Sequence, residues 1–464
     1  MRLYTSLKIS AASFIIAGLL FCFPESVFSE QVEQPRIFEK PLFTENLPRA
    51  PQVFSNDEVS MKPGELFTLP RCYALSLRQS ELIAVDADRV KETEARFLQA
   101  LSIMMPHLSF LSFDTQEAAP NDSGTFSTLK PAKISTRYFN YSQTLFSGFK
   151  AFAGMKGANL ERKQRISEMV RAEQLLLVDV SDAFYILMEK REDFKALNDT
   201  KKALLKRIVE LKARERLGRS RESEVVNARA QLYSVQASIV VVKSEEDLSR
   251  QILEFLIGGP IGETKDHYPV PSELMAEEYY LSRSALRPDV EAAKYAWQTA
   301  VQASRIVDSD FLPTVDIDTN YYVQRTGFDK GTDWDVTLSV NIPIFEGTET
   351  LGRSKEYALK AHQSRLLFDR AKRVAPYDIK DAYIKLKSAI EVYECLNKAF
   401  EIAKLNYRLQ RKDYERSLVS NLDVLASIQT LEEAQRNHIR AMYAAKRLYW
   451  RLRVAAAEDI TESL

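Results

Sequence analysis

Apolar and polar positions along this chain follow two periods, one helical and one strand-like, and the pair of periods occurs twice. After Pro70, apolar residues recur at helical spacing (Leu75, Leu82, Val85, Val90, Phe97, Leu101) as far as Met105, and Pro106 stops the run. The same spacing predicts a helix over about residues 281–310, stopped by Pro313. Each proline hands over to a strand. Beyond Pro313, Val315, Ile317, Thr319, Tyr321 and Val323 share one face, and Thr314, Asp316, Asp318, Asn320 and Tyr322 the other. Its partner repeats the pattern across the turn sequence TGFDKGTD: Trp334, Val336, Leu338, Val340 and Ile342 oppose Asp335, Thr337, Ser339 and Asn341. Noisier alternation predicts two earlier strands near residues 108–114 and 134–145. The loop joining them, QEAAPNDSGTFSTLKPAK, is about eight residues longer than its counterpart.

After each second strand the helical period returns and persists. Residues 149–217 contain no proline and only Gly154 and Gly157, both near the start, so a continuous helix would span about 100 Å. In the later stretch Ile379, Leu386, Tyr393, Phe400, Tyr407 and Tyr414 stand seven apart, beside Ala382, Ala389, Leu396 and Ala403, the spacing of coiled-coil packing. The earlier stretch gives Val180, Leu187, Phe194 and Ile208, interrupted by Lys201. Charged residues fill the remaining faces and read as solvated, so each helix needs neighbours on its flanks and water elsewhere. Reversals are predicted at Leu217, Gly218 and Arg219 and at residues 417–420, with returning helices over about 222–257 and 421–457.

These two halves are copies. Displaced by 199 residues, FSGF at 146–149 falls on FEGT at 345–348, and Asp179, Val180, Asp182, Ala183 and Phe184 fall on Asp378, Ile379, Asp381, Ala382 and Tyr383. Without a gap, Glu224, Val225 and Leu232 then fall on Asp423, Val424 and Leu431. The duplication divides the chain into a first repeat (71–258) and a second (281–458), each a helix, two strands and a long helical hairpin. A linker (259–280) joins them, and a short tail (459–464) follows.

Composition narrows the function. With 64 basic and 64 acidic residues the chain has no net field for nucleic acid, so no nucleic-acid partner is expected. The first 29 residues read as a signal peptide: Arg2 and Lys8 precede an apolar run over 9–23, and Val27 and Ser29 suit cleavage before Glu30. A lipid anchor on Cys22 is the competing reading, against which bulky Phe21 stands. Residues 30–70 form an extended leader without a sustained period. No later stretch is long and apolar enough for a spanning helix. Cys72 and Cys395 read as two isolated buried thiols rather than a disulfide framework.

The strands admit two readings. In a soluble hairpin the apolar face is covered by helices; in a membrane barrel it faces lipid and the Asp, Asn, Ser and Thr face water inside. Four strands cannot close a barrel, since about eight is the smallest workable number. If the barrel is real, several subunits share it.

The residues themselves carry a resemblance. LRPDVEAA at 286–293, FLPTVDID at 311–318, NIPIFEGT at 341–348 and the stretch 414–431, in that order on duplicated halves, resemble the TolC-type family of bacterial outer-membrane efflux proteins. The resemblance implies a mainly α fold with a small membrane β part: a homotrimer whose chains give four strands each to one outer-membrane β-barrel and their helices to one periplasmic α-helical barrel. It implies a passive outer-membrane exit duct of a tripartite efflux or type I secretion system, with a long periplasmic portion, outer-membrane lipid around the strands, and a periplasmic adaptor and an inner-membrane pump as partners.

By that resemblance Asp423 matches the first aspartate of the family's constriction, while Ala426 occupies the place of the second. Tyr414 and Glu224 match a pair that ties the hairpins in the closed state; the other tie would need arginine where Val419 stands, opposite Ser223. Leu217, Gly218 and Arg219, with Ser417, Leu418, Val419, Ser420 and Asn421, would form the adaptor-docking tips. Crowded acids on an axis favour cations and make a constriction sensitive to salt and pH. For Glu224 and Asp423 a helix N-terminal role is the alternative, as is a tight-turn role for Gly218.

No enzyme chemistry is legible. His107, His267, His362 and His438 lie apart from metal-ligand partners, and GFKAFAGMK at 148–156 lacks the spacing and the hydroxyl of a phosphate loop. No catalytic residue, metal or cofactor is expected. The alternatives to a duct are a periplasmic coiled-coil adaptor, which carries one hairpin beside lipoyl-like β domains, and a soluble scaffold, which leaves the strands around Trp334 unexplained.

Overall fold

The computed structural model describes residues 66–116, 133–326 and 331–458. The signal peptide, nearly all of the leader, most of the longer first surface loop and the tail lie outside the described residues.

The helix expected after Pro70 is two helices. α1 (Leu69–Gln79) carries Pro70 in its first turn, where a missing N–H costs nothing, and ends at Ser80. Ser80 takes an extended conformation and caps α2 (Glu81–Ser102), its hydroxyl accepting from the Ile83 N–H at 3.4 Å. β1 (His107–Gln116) and β2 (Lys133–Ser147) follow, then α3 (Lys150–Arg216) and α4 (Glu222–Ile257). The linker's last residues are already helical, in the short α5 (Glu277–Ser282). A 3-10 turn, Ser284–Leu286, leads to α6 (Pro288–Asp308), and a second, Ser309–Phe311, leads to the strands. β3 (Thr314–Arg325), β4 (Trp334–Asn341), α7 (Glu349–Glu415) and α8 (Asn421–Ala455) complete the second half.

The duplication is kept to the residue. α3 and α7 are each 67 residues long, and both their ends differ by the 199-residue displacement. Gly148 and Gly347, related by it, both have positive φ at the turn from strand to helix. At Gly148 a Cβ would lie 2.7 Å from the Ser309 carbonyl oxygen, so only glycine fits. Gly154 and Gly157 lie inside α3 and face Ala100 and Gln302, setting the close approach of α2 and α6. The turn accounts for Gly148 of GFKAFAGMK and the approach of α2 for Gly154.

The helices form a layer in which α3 is central. Near the strands it packs between α2 and α6, with α7 beyond α6; further out it packs between α4 and α8, with α7 beyond α8. Leu177, Val180, Phe184 and Leu187 of α3 are fully buried against Leu253 and Ile257 of α4, Tyr443 and Trp450 of α8, and Cys72 of α1. Each such side chain contributes roughly 2 kcal/mol. Nearer the reversals Leu204, Leu211, Val225, Leu232, Val424 and Ile428 form a second cluster. A third lies around Ile379, Leu386 and Leu452.

One expectation needs correcting. Cys72 is buried, its thiol pushed up to about 12 by desolvation, but Cys395 is exposed. It lies on α7, at the edge of the layer, where no further helix among the described residues covers it.

Candidate functional site

The four strands make one antiparallel sheet in the order β1-β2-β3-β4, with β1 and β4 at its open edges. Register sorts its faces. Val315 pairs with Val340, Ile317 with Leu338, Thr319 with Val336 and Tyr321 with Trp334; Phe139 pairs with Tyr321, and Phe110 with Phe139. These share one side. Tyr321, Val323, Trp334, Val336, Leu338, Val340 and Ile342 are exposed, and so are Leu108, Phe110 and Phe139, while Val315 and Ile317 are half-buried. Among the described residues no helix covers this apolar side.

The opposite face is polar and internally bonded. Thr144 donates to Asp316 Oδ1 at 2.6 Å, Asn140 to Asn320 Oδ1 at 2.8 Å, Asn320 to Asp335 Oδ1 at 2.9 Å and Tyr322 to Asp335 Oδ2 at 2.8 Å. Such a ladder satisfies the polar side chains of neighbouring strands with one another. Among the described residues no helix is long and apolar enough to cross a membrane, and no cluster of His, Cys, Asp and Glu could hold a metal.

At the far ends of the hairpins the two reversals share one geometry. The Arg219 N–H donates to the Arg214 carbonyl at 2.8 Å, and its displaced counterpart Leu418 donates to Asp413 at 2.9 Å. Both turns need a left-handed residue: Gly218 at φ 71 and Ser417 at φ 64. Leu217, Gly218, Arg219, Ser417, Leu418 and Ser420 are exposed and Val419 is half-buried. Asn421 is buried, its side-chain oxygen accepting from Arg207 Nε at 2.9 Å, so it belongs to the interior rather than to a docking surface.

The expected gate residues are placed as follows. Asp423 and Ser420 form a reciprocal cap on α8: Asp423 Oδ2 accepts from the Ser420 N–H at 2.8 Å, and the Ser420 hydroxyl accepts from the Asp423 N–H at 3.3 Å. The Ser420 hydroxyl and N–H hold this exposed carboxyl below the usual carboxylate range. Glu224, in the first turn of α4, accepts from the Ser220 hydroxyl at 2.6 Å. The Tyr414 ring lies 3.6 Å from the Arg207 guanidinium carbon and 4.4 Å from that of Arg214. Its ring contacts are thus with α3 rather than with Glu224. Nothing local in the sequence marks Arg207 for this role, because its partners stand two hundred positions away.

The motif LRPDVEAA encloses another such group. Arg287 is buried and forks onto Asp289 (3.0 and 2.6 Å), reaches Asp378 on α7 at 3.1 Å, and donates to the Ala375 carbonyl at 3.3 Å. It fastens α6 to α7 just beside Pro376, where the helix lacks a backbone donor.

Comparison with known proteins agrees with this architecture. Residues 282–458 match the family described as outer membrane efflux protein. The outer membrane protein TolC of Vibrio cholerae serotype O1 is 20% identical over 381 residues, covering 78% of this chain and 84% of that protein. The alkaline protease secretion protein AprF of Pseudomonas aeruginosa is 22% identical over 257 residues, about half of either chain (52% of each). The crystal structure of the outer membrane protein VceC from Vibrio cholerae superposes with a TM-score of 0.73 at 18% identity, covering 84% of this chain and 96% of that one. In the repeat, the matched second half and the shared fold, the chain is similar to the TolC-type outer-membrane efflux proteins.

Proposed function

We propose that three copies of this chain form a passive exit duct, a β-barrel in the outer membrane continued by a helical barrel in the periplasm, serving an efflux or type I secretion pump through a periplasmic adaptor. The observation that carries this reading is the pairing of open edges with uncovered apolar surface. β1 and β4 leave unpaired backbone edges, and an open edge cannot stand in lipid, where each unsatisfied group costs several kcal/mol. The helical layer has the same incompleteness. α4 exposes Val226, Tyr233, Val240, Leu248 and Phe255 along one stripe, and α7 exposes Leu359, Leu366, Ile384, Ile402 and Leu409. Head-to-tail contact of β1 with β4, and of α4 with α7, repeated round a ring, would satisfy both at once.

In this arrangement the bonded Asp, Asn, Thr and Tyr face of the sheet lines the water-filled exit. The tips, with exposed Leu217 and Leu418 beside Arg219 and Arg416, offer adaptor helices a small apolar contact with a basic rim. Asp423 projects at the same end and would supply the acid of the constriction, and Tyr414 the tie between hairpins. A periplasmic adaptor or a soluble scaffold would leave the face of Trp334, Val336 and Leu338 in water, at odds with its size. The test is fractionation: an oligomer resistant to heating in detergent, found in the outer membrane and conducting in planar bilayers, is expected. A soluble monomer without conductance would refute the duct.

A further inference from the structure

Below the barrel wall, between the start of α3 and the end of α6, lies a recess of about 320 Å³ lined by Phe149, Phe152, Leu312, Lys156 and Arg305, among others. We propose that it holds the headgroup end of an anionic phospholipid from the periplasmic leaflet of the outer membrane; this rests on the duct reading above.

Three observations converge. The first is continuity with the apolar side of the sheet. Phe146 pairs with Val315 and so shares that side. Its ring meets Phe149 edge-on at 5.3 Å, and Phe149 lies 6.4 Å from Phe152, so an unbroken aromatic run descends from the sheet into the recess. Both lower rings are more than half exposed. The second is the charge waiting at the bottom. Lys156 and Arg305 are exposed, and among the described residues neither has an ion-pair partner; Arg305 only reaches the Gln302 side chain at 3.4 Å. Asp308 also lines the recess and accepts from the Ser354 hydroxyl at 2.7 Å, so two cations stand against one acid and the excess charge is positive.

The third is depth. Lys156 lies six residues into α3, roughly 9 Å below its start, which matches the headgroup layer beyond a bilayer's hydrocarbon edge. Long basic side chains reach phosphates from such a level while their stems cover apolar surface. The recess is also clear of the ring contacts. It lies beneath β2 and β3, the central strands, and not beneath the edges that would meet neighbouring subunits. Aromatic walls suit acyl and glycerol carbons, and the paired cations suit a phosphate diester without a compensating ammonium.

The test uses the full oligomer extracted in mild detergent, re-lipidated with equal phosphatidylglycerol and phosphatidylethanolamine, and weighed intact by native mass spectrometry. Wild type should retain phosphatidylglycerol about fivefold or more over phosphatidylethanolamine. Lys156→Gln with Arg305→Gln should bring the ratio near one, and Phe149→Ser with Phe152→Ser should lower both lipids. Equal retention in wild type, or an unchanged ratio in the double Gln variant, overturns the site. Displacement of the lipid by millimolar inorganic phosphate would make it a free-phosphate site and overturn the proposal too. Heat-resistant oligomer in outer-membrane fractions, measured in parallel, separates the two readings: its presence with equal lipid retention sinks the lipid site alone, and its absence from wild type sinks the duct and the lipid site with it.

Discussion

The guanidinium of Arg207 stacks on the ring of Tyr414 at 3.6 Å and at the same time donates through Nε to Asn421 Oδ1 at 2.9 Å. One buried side chain of the first hairpin therefore holds both helices of the second hairpin at their reversal. A desolvated contact of this kind is worth about 2 kcal/mol, and the lost hydrogen bond adds to it. We expect Arg207→Ala to loosen the tip, raising single-channel conductance in planar bilayers. Arg207→Lys should recover only part of the closed state, because an ammonium cannot fork between ring and amide. Wild-type conductance in Arg207→Ala would show that the tip is held elsewhere.

A constriction role for Asp423, as proposed above, can be separated from its cap role by substitution. Asp423→Ala removes both the charge and the carboxylate half of the reciprocal cap on α8, leaving the Ser420 hydroxyl to accept from the backbone N–H. Asp423→Asn removes only the charge. If the acid lines the constriction, both variants raise conductance and weaken block by multivalent cations. If it serves only as a cap, Asp423→Asn behaves as wild type. Because its hydrogen bonds lower the folded carboxyl, it stays ionised as pH falls to its ordinary value of 3.8. Its contribution is lost only below that, so cation block should persist at pH 5.

The left-handed turns of the two tips differ in strain. Gly218 takes φ 71 without cost, and a Cβ there would meet nothing within 4 Å, so Gly218→Ala reports the backbone alone. It should destabilise by about 1 kcal/mol. Ser417 takes φ 64 with a side chain, and Ser417→Gly should stabilise by up to about 1 kcal/mol. Denaturant unfolding of the purified oligomer reads both; equal and opposite shifts are expected, and shifts of the same sign would refute the account.

Glu173 lies buried on α3, one carboxyl oxygen without a hydrogen-bond partner, and burial raises its pKa from 4.5 to about 7. Between those values the folded chain binds more protons than the unfolded one, so stability falls as pH rises through this window. Glu173→Gln removes the ionisation. Its melting temperature relative to wild type should be higher at pH 8 than at pH 4, and a difference independent of pH would overturn the assignment.

Asp193 of α3 is buried under a forked bond from Arg436 of α8, at 2.7 and 3.1 Å. Arg436→Met leaves Asp193 with only the longer contact to Arg440, at 3.8 Å, so this variant alone should cost on the order of 3 kcal/mol. Asp193→Leu with Arg436→Met should recover much of that loss. A double variant as unstable as the sum of the singles would show that the two groups act independently.

Much of this architecture was written in local pattern. Proline stops, strand alternation and the 199-residue displacement specified the strands, the long helices and their shared length, because each depends on neighbours a few residues apart. The break at Ser80 is not legible in the sequence, because a single capping hydroxyl competes with an otherwise continuous helical period. The two copies also look alike in sequence, yet α3 becomes the centre of the layer and α7 its edge, which is why Cys72 beside α3 is covered and Cys395 on α7 is not. That asymmetry is a property of which element lies beside which. Likewise the match of Asp423 pointed to a constriction, but its reciprocal cap with Ser420, the seat of Tyr414 on Arg207 and the burial of Asn421 arise from side chains brought together across two hundred residues. Periodicity determines which face of an element is apolar; only packing decides what that face meets.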